Sequence, residues 1–230
     1  MKKYLLFSLL CFVAFWQEIN AQNIETKAKR GYKYNNNFDI AYGIGSSNEF
    51  SLATSWVHFH GIGKKKRLKI GYGIRLTHYN GLGKIYKTAP ADLIREKKID
   101  EIYFLSPQTN SINITYNFQY SISKKFEFGF NIDAIGLSFG AEKNATRAAT
   151  TTTQASPTSA NLLIVGNYDI GNLNSEFYVR YWLHERFAIR AGFSHLFSEY
   201  TTNKKLAYDN DRYRMISNLG FVAFTFSPFR

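Results

Sequence analysis

The stretch Ile112-Asn113-Ile114-Thr115-Tyr116-Asn117-Phe118-Gln119-Tyr120-Ser121-Ile122 decides the fold. Each even position is large and apolar or aromatic, and each odd position through Ser121 is polar. A period of two places successive side chains on opposite faces of an extended strand. The same signature recurs along the chain. Phe38, Ile40, Tyr42 and Ile44 alternate with Asp39, Ala41 and Gly43, and Phe50, Leu52 and Trp56 with Ser51, Ala53 and Ser55. Leu68 to Leu76 alternates with Lys69, Gly71, Gly73 and Arg75, and Phe126 to Ile132 with Glu127, Gly129 and Asn131. Phe177, Val179, Tyr181 and Leu183 oppose Glu176, Tyr178, Arg180 and Trp182. Phe187, Ile189 and Phe193 oppose Ala188, Arg190 and Gly192. The last strand, roughly Tyr213 to Phe226, is less regular and is read with a bulge. No sustained helical period of 3.6 appears after residue 21.

Which way these faces point follows from their chemistry. The apolar set is unusually aromatic, while the polar set carries fixed charges together with Gly and Ser. A lipocalin-like soluble barrel would put the aromatic face inside. A transmembrane β-barrel puts it outside, towards lipid, and keeps the polar face in the lumen, in strands of about 9–11 residues. The connections favour the second arrangement. Short turns at Ser46–Asn48, His60–Lys66, Ser123–Lys125 and His184–Arg186 contrast with long excursions at Asn80–Asn110, Gly140–Asn174 and Glu199–Arg212. The expectation is an all-β, eight-stranded antiparallel up-and-down transmembrane barrel with short periplasmic turns and longer extracellular loops. An even strand number then assigns Leu162 to Ile170 to a loop or to a strand extension. Ala91 to Asp100 reads as one or two helical turns, and the Thr/Ala/Ser tract Asn144 to Ala160 as a mobile surface loop, having too little apolar area to fold alone.

The chain of 230 residues has 45% hydrophobic and 17% aromatic residues and a net charge of +12. That is too apolar for a disordered basic tail, and its mean hydropathy, below zero, excludes a bundle of membrane helices. Lys2 and Lys3 precede an apolar run to Trp16, then a polar stretch and Ala21, the pattern of a cleaved signal peptide over 1–21. Residues 22–37 read as a periplasmic lead and 38–230 as the barrel. Cys11, the one cysteine, falls inside the signal peptide, so no disulfide is expected.

The polar faces nominate a lumen site. Asp39, Glu127, Asp133 and Glu176 face Lys69, Arg75, Arg180 and Arg190, four acids against four bases. An eight-stranded barrel is only wide enough for side chains to fill it, so a balanced set predicts ion pairs closing the lumen rather than an open pore. Catalytic chemistry is scarce. Gly61-Ile62-Gly63-Lys64 and Gly81-Leu82-Gly83-Lys84 lack the spacing of a phosphate loop. His58 and His60 have no evident third metal ligand. His195 with Ser198 and Glu199 is the one nucleophile–base combination, and it implies a lipid-A-modifying hydrolase as the alternative to a non-enzymatic protein; a narrow channel is the third reading. No catalytic residue, metal or cofactor is assigned.

Asn174-Ser175-Glu176-Phe177-Tyr178-Val179-Arg180-Tyr181-Trp182, Arg190-Ala191-Gly192-Phe193 and Phe197-Ser198-Glu199-Tyr200-Thr201-Thr202 resemble the small outer-membrane β-barrel proteins of Bacteroidota, similar in architecture to the OmpA transmembrane domain and OmpX. The resemblance implies residence in the outer membrane and no particular mechanism. The chain ends Ser227-Pro228-Phe229-Arg230, without the terminal aromatic common in such barrels.

The excess charge is not spread evenly. Lys64, Lys65, Lys66, Arg67, Lys124, Lys125 and Arg186, with Lys27, Lys29, Arg30, Lys33 and Arg230, fall at the short-turn end, opposed by Glu25 and Glu185. A basic ring there suits anionic lipid headgroups rather than nucleic acid. Expected partners are outer-membrane lipids including lipopolysaccharide, and an unidentified ligand of the loops; a monomer is expected.

Overall fold

The computed structural model describes residues 34–46, 48–147 and 151–229. The expected signal peptide and most of the lead lie outside the described residues. Thirteen strands form one antiparallel sheet. They are β1 (Tyr34–Gly45), β2 (Glu49–Ile62), β3 (Leu68–Gly81), β4 (Lys84–Thr88), β5 (Glu101–Phe104), β6 (Gln108–Ser121), β7 (Phe126–Phe139), β8 (Lys143–Arg147), β9 (Thr151–Pro157), β10 (Ala160–Leu162), β11 (Leu173–Trp182), β12 (Phe187–Thr202) and β13 (Arg212–Phe229). A short helix α1 (Ala91–Arg95) lies between β4 and β5.

Eight long strands pair in the order β1-β2-β3-β6-β7-β11-β12-β13, and β13 pairs back onto β1. The register can be followed around the circuit. Asn35 faces Phe59, then Gly71, Asn117, Asn131, Glu176, Ser194 and Leu219, and Leu219 faces Gly45. The path returns to β1 ten residues beyond its start, from 35 to 45. That stagger sets a strand tilt of roughly 40°.

Alternation sorts the side chains between the two faces of this ring. Ile40, Tyr42, Ile74, Tyr116, Phe128 and Phe177 are exposed on the outside, and Phe193 reaches 75% exposure. The inside holds small and polar residues, including Ser51, Thr77, Ser111, Asn117, Ser194 and Thr225, with a few large rings such as Phe59, Tyr178, Trp182 and Phe221 among them, all buried. The phase reverses once within β7: Phe126, Phe128, Phe130 and Ile132 lead to Ile135, Leu137 and Phe139. The register slips at the same place, since Ile114 faces Ile135 while Thr115 faces Asp133, so Ala134 is the extra residue of a bulge. A second shift, between Asn36 and Phe38, lies opposite the end of β13.

Three expectations are corrected. Among the described residues the strands number thirteen, not eight, because the excursions are themselves folded. β1 begins at Tyr34 rather than Phe38, with Asn35 and Asn37 buried inside the ring; polar residues at a strand end leave no apolar alternation to read. The tract 144–160 is not a loose loop but supplies β8 and β9. These strands join β4, β5 and the upper parts of β12 and β13 in a second circuit, β12-β13-β4-β5-β8-β9-β12. Tyr86, Phe104, Tyr200 and Tyr213 are fully buried within this smaller ring. Phe104 sits 4.6 Å from Tyr200 and 4.9 Å from Tyr86, centroid to centroid. Ala145 and Ala155, each 0% exposed, leave room for those rings. The tract lacks large apolar residues because its neighbours provide them.

Truncating this core should loosen the upper ring selectively. Phe104→Ala should cost about 3–5 kcal/mol and open residues 143–157 to limited proteolysis in detergent while the eight-strand ring stays resistant; equal protection in variant and parent would contradict the packing described.

Candidate functional site

The lower half of the ring interior is built on ion pairs. Lys69 and Arg75 come from β3, Glu127 and Asp133 from β7, Glu176 and Arg180 from β11, Asp39 from β1 and Arg190 from β12. Each occupies an inward position of its strand, and the structure brings all eight into one alternating chain. Lys69 Nζ lies 2.8 Å from Glu127, which lies 3.8 Å from Arg180. Arg180 and Arg190 flank Asp39 at 3.6 and 3.8 Å. Arg190 continues to Glu176 at 3.3 Å, Glu176 to Arg75 at 3.2 Å, and Arg75 to Asp133 at 2.6 Å.

Neutral groups complete the carboxylates. Trp182 Nε1 and Ser121 Oγ both donate to Glu127, at 2.7 and 2.9 Å. Asn131 accepts from Arg75 at 2.8 Å and donates to Glu176 at 2.8 Å. Asn113 Nδ2 and the backbone N–H of Asn174 donate to Asp133 at 2.8 and 2.9 Å, and Thr225 donates to Asp39. The guanidinium of Arg190 lies 4.6 Å from the Tyr178 ring centroid and that of Arg180 5.4 Å away. Tyr178 in turn covers Gly129, where a Cβ would meet the Tyr178 hydroxyl at 2.5 Å. A glycine is needed there for the aromatic to cross the lumen. Above the chain, a cavity lined by Thr77, Tyr79, Thr109, Ser111 and Asp133 holds about 10 Å³, about the space of one water.

Two further ionic clusters escaped the sequence reading. Glu49 takes Lys84 at 2.8 Å, Ser217 at 2.7 Å and Tyr79 at 2.9 Å, joining the base of the upper ring to the barrel strands. Glu49 begins β2 beside Gly45, where a Cβ would strike its carboxylate, so the short turn and the ion pair are coupled. Glu199, fully buried, holds Arg212 at 2.8 Å and Arg214 at 2.7 Å. The acids lie at the ends of the alternating runs, Lys84 and Arg212 in the excursions and Arg214 at the irregular start of the last strand, so alternation gave no signal for either cluster.

The basic residues of the short turns are placed together at one end. Lys64, Lys65 and Arg67 are exposed between β2 and β3, with Lys66 half-buried and left-handed at φ 49°. Lys124 and Lys125 are exposed between β6 and β7, and Arg186 between β11 and β12. Successive turns are tied to the neighbouring strand: Ser121 N–H donates to Arg67 O, Trp182 N–H to Lys125 O and Ser227 N–H to Arg186 O, at 2.8–2.9 Å. Lys27, Lys29, Arg30, Lys33 and Arg230 lie outside the described residues.

The histidine combinations are separated from the chemistry they suggested. His195 points outward and bonds Asn218 Oδ1 at 2.7 Å, whereas Ser198 points inward to Tyr86 at 3.0 Å. An odd spacing on one strand puts them on opposite faces, and Glu199 is occupied by its arginines. His58 is bonded to Asn36 at 2.7 Å and its ring lies 4.6 Å from His60. Among the described residues, no group of three His, Cys, Asp or Glu side chains is placed to hold a metal ion.

No protein-family model matches the chain, and no curated protein matches it by sequence. Among solved structures it is similar to Neisserial surface protein A, at 9% identity over 84% of this chain and 94% of that one with a TM-score of 0.38. It is similar to the Yersinia pestis outer membrane protein Ail, at 8% identity over 84% and 98% with a TM-score of 0.37. A de novo designed transmembrane β-barrel gives 6%, 88%, 99% and 0.36 for the same quantities. The fold itself rests on the hydrogen-bonded circuit.

Breaking a buried ion pair strands its partner in a medium that solvates it poorly. Arg180→Ala should destabilise the folded chain by about 3–5 kcal/mol in detergent unfolding, and Lys64→Ala on the exposed turn by no more than about 0.5 kcal/mol; equal losses would contradict the buried chain.

Proposed function

We propose that the chain is an integral outer-membrane protein, with the eight-strand ring as its transmembrane barrel and the smaller ring standing above the membrane on the extracellular side. The observation that carries this reading is the inversion of faces: ion pairs and amides inside, Ile, Leu, Phe and Tyr outside around the circuit. On β3 the outward apolar positions run from Leu68 to Leu76 and give way to His78. At about 3.3 Å per residue and roughly 40° tilt this run reaches about 20 Å before side chains are added, against an apolar band of about 25 Å in such barrels.

Three outward His–Asn pairs between directly facing residues support the same band. His58–Asn36 lies towards the short-turn end, while His78–Asn110 and His195–Asn218 lie towards the other. Each pair satisfies two polar groups on the outward face, and at His78–Asn110 the apolar positions give way to polar ones. The short-turn end is assigned to the periplasm, where its basic residues attract inner-leaflet anionic headgroups, by analogy about 1 kcal/mol each. The resemblance of residues 174–202 to small barrels of Bacteroidota fits this assignment.

The role proposed is structural or surface-interacting, through the upper ring and its tips. A closed lumen favours a non-conducting barrel, and the opposed faces of His195 and Ser198 leave a lipid-modifying activity without an assembled nucleophile. Outer-membrane lipids, including lipopolysaccharide, are the partners of the band; the loop ligand is unassigned, and the chain acts as a monomer without nucleic acid.

A folded barrel should migrate differently on a detergent gel before and after boiling and should fractionate with the outer membrane. Identical migration together with soluble periplasmic fractionation would sink the assignment. Planar-bilayer recordings should give no stable conductance. Neutralising Lys64, Lys65 and Lys66 to Gln should weaken association with anionic vesicles, and unchanged association would count against the basic ring as a lipid contact.

A further inference from the structure

Between β10 and β11 the chain makes a detour that neither ring requires. Leu162 and Ile170 exchange two backbone hydrogen bonds of 3.0 Å, forming the base of a finger whose tip is Val165-Gly166-Asn167-Tyr168. Val165 is 77% exposed, Tyr168 56% and Ile164 48%. Residues 160–168 carry no charge. The one acid of the finger, Asp169, is buried, and its Oδ1 accepts from the backbone N–H groups of Ile164 and Val165 at 2.8 and 2.9 Å. Asp169 N–H donates to Gly166 O at 3.2 Å and Tyr168 N–H to Val165 O at 3.4 Å.

The amides of Ile164, Val165, Tyr168 and Asp169 are satisfied within the finger, and three large apolar side chains project from it. That combination suits the membrane interface, where apolar side chains reach the acyl boundary while the remaining backbone groups of the tip stay at headgroup level. The finger is continuous with the outward apolar face. Leu162 pairs with Ile135, and together with Ile74, Ile112, Ile114 and Leu137 they line an open groove of about 550 Å³ on the outside of the wall.

We infer that the Leu162–Ile170 finger is an interfacial anchor, its Ile164, Val165 and Tyr168 side chains inserted among lipid acyl chains of the outer leaflet, with an acyl chain lying in the adjoining groove. The inference rests on the membrane reading above, and the test separates the two. Single cysteines are introduced by Val165→Cys, Leu137→Cys in the band, and Lys204→Cys at an exposed upper turn, each with Cys11→Ala so that no other thiol is present. Each is labelled with a nitroxide and reconstituted into phospholipid vesicles. Collisions with oxygen, which partitions into lipid, are compared with collisions with a water-soluble nickel chelate.

The expected result is an oxygen-dominated label at 165, matching 137, against a nickel-dominated label at 204. A water-accessible 165 beside a lipid-exposed 137 overturns the anchor and leaves the barrel reading standing. If 137 is itself water-accessible, the membrane reading fails and the anchor with it. A label at 165 shielded from both agents, with dipolar broadening between copies that disappears on dilution with unlabelled protein, assigns the finger to contact with a second copy and overturns the lipid assignment.

Discussion

The pairing of β1 with β13 is the constraint on which the rest of the structure depends. Without it the eight strands would be an open sheet with two rows of unpaired backbone groups. With it, the stagger of ten residues over eight strands fixes the tilt, and strand number and tilt together fix the bore. Everything inside must then fit a narrow tube. Charged residues on inward positions meet across that tube whether or not their own strands are adjacent: Arg180 and Asp39 lie on strands three places apart in the circuit, yet approach to 3.6 Å. The alternating chain from Lys69 to Asp133 follows from closure as much as from the residues that compose it.

Alternation made the ring legible because it records one local fact, which face a residue occupies, and that fact survives folding. Residues 112–122 declare it outright, and in β7 the change from Ile132 to Ile135 even marks the bulge at Ala134. Inward charges could be named for the same reason, each being one phase-step from an outward apolar residue. Their partners were another matter, since which acid meets which base depends on stagger, a property of the whole circuit. The smaller ring was illegible on physical grounds as well. β8 and β9 are short, their buried positions are Ala145, Thr153, Ala155 and Pro157, and the aromatics that cover them come from β4, β5, β12 and β13. A tract of threonine and alanine looks disordered only when read without its neighbours. His195 and Ser198 show the opposite error, in which closeness along the chain suggested a meeting that strand geometry forbids.

The two rings share β12 and β13, whose ladder continues from Phe187–Phe226 to Thr201–Arg212. Below, their outward faces carry Ile189, Phe193, Val222 and Phe224. Above, the same faces carry Glu199, Arg212 and Arg214, and the inward positions turn aromatic at Tyr200 and Tyr213. The distribution of polar and apolar groups between inside and outside therefore inverts along a single pair of strands, and Glu49 with Lys84 joins the two interiors where the change occurs. The basic turns close the opposite end, so each level of the molecule has its own charge character.

Closure has a kinetic consequence. Asp39 and Thr225, which meet across the seam, are 186 residues apart in sequence. Contacts of such separation form slowly, because the entropy of closing the intervening loop precedes any gain from the contact. The seam cannot form until the C-terminal strand is available, and until then the aromatic band belongs to an open, adhesive sheet. An open sheet of that kind is prone to aggregate, and the native state, once sealed, should unfold slowly, since no ring strand has a free edge and each must break two ladders to leave.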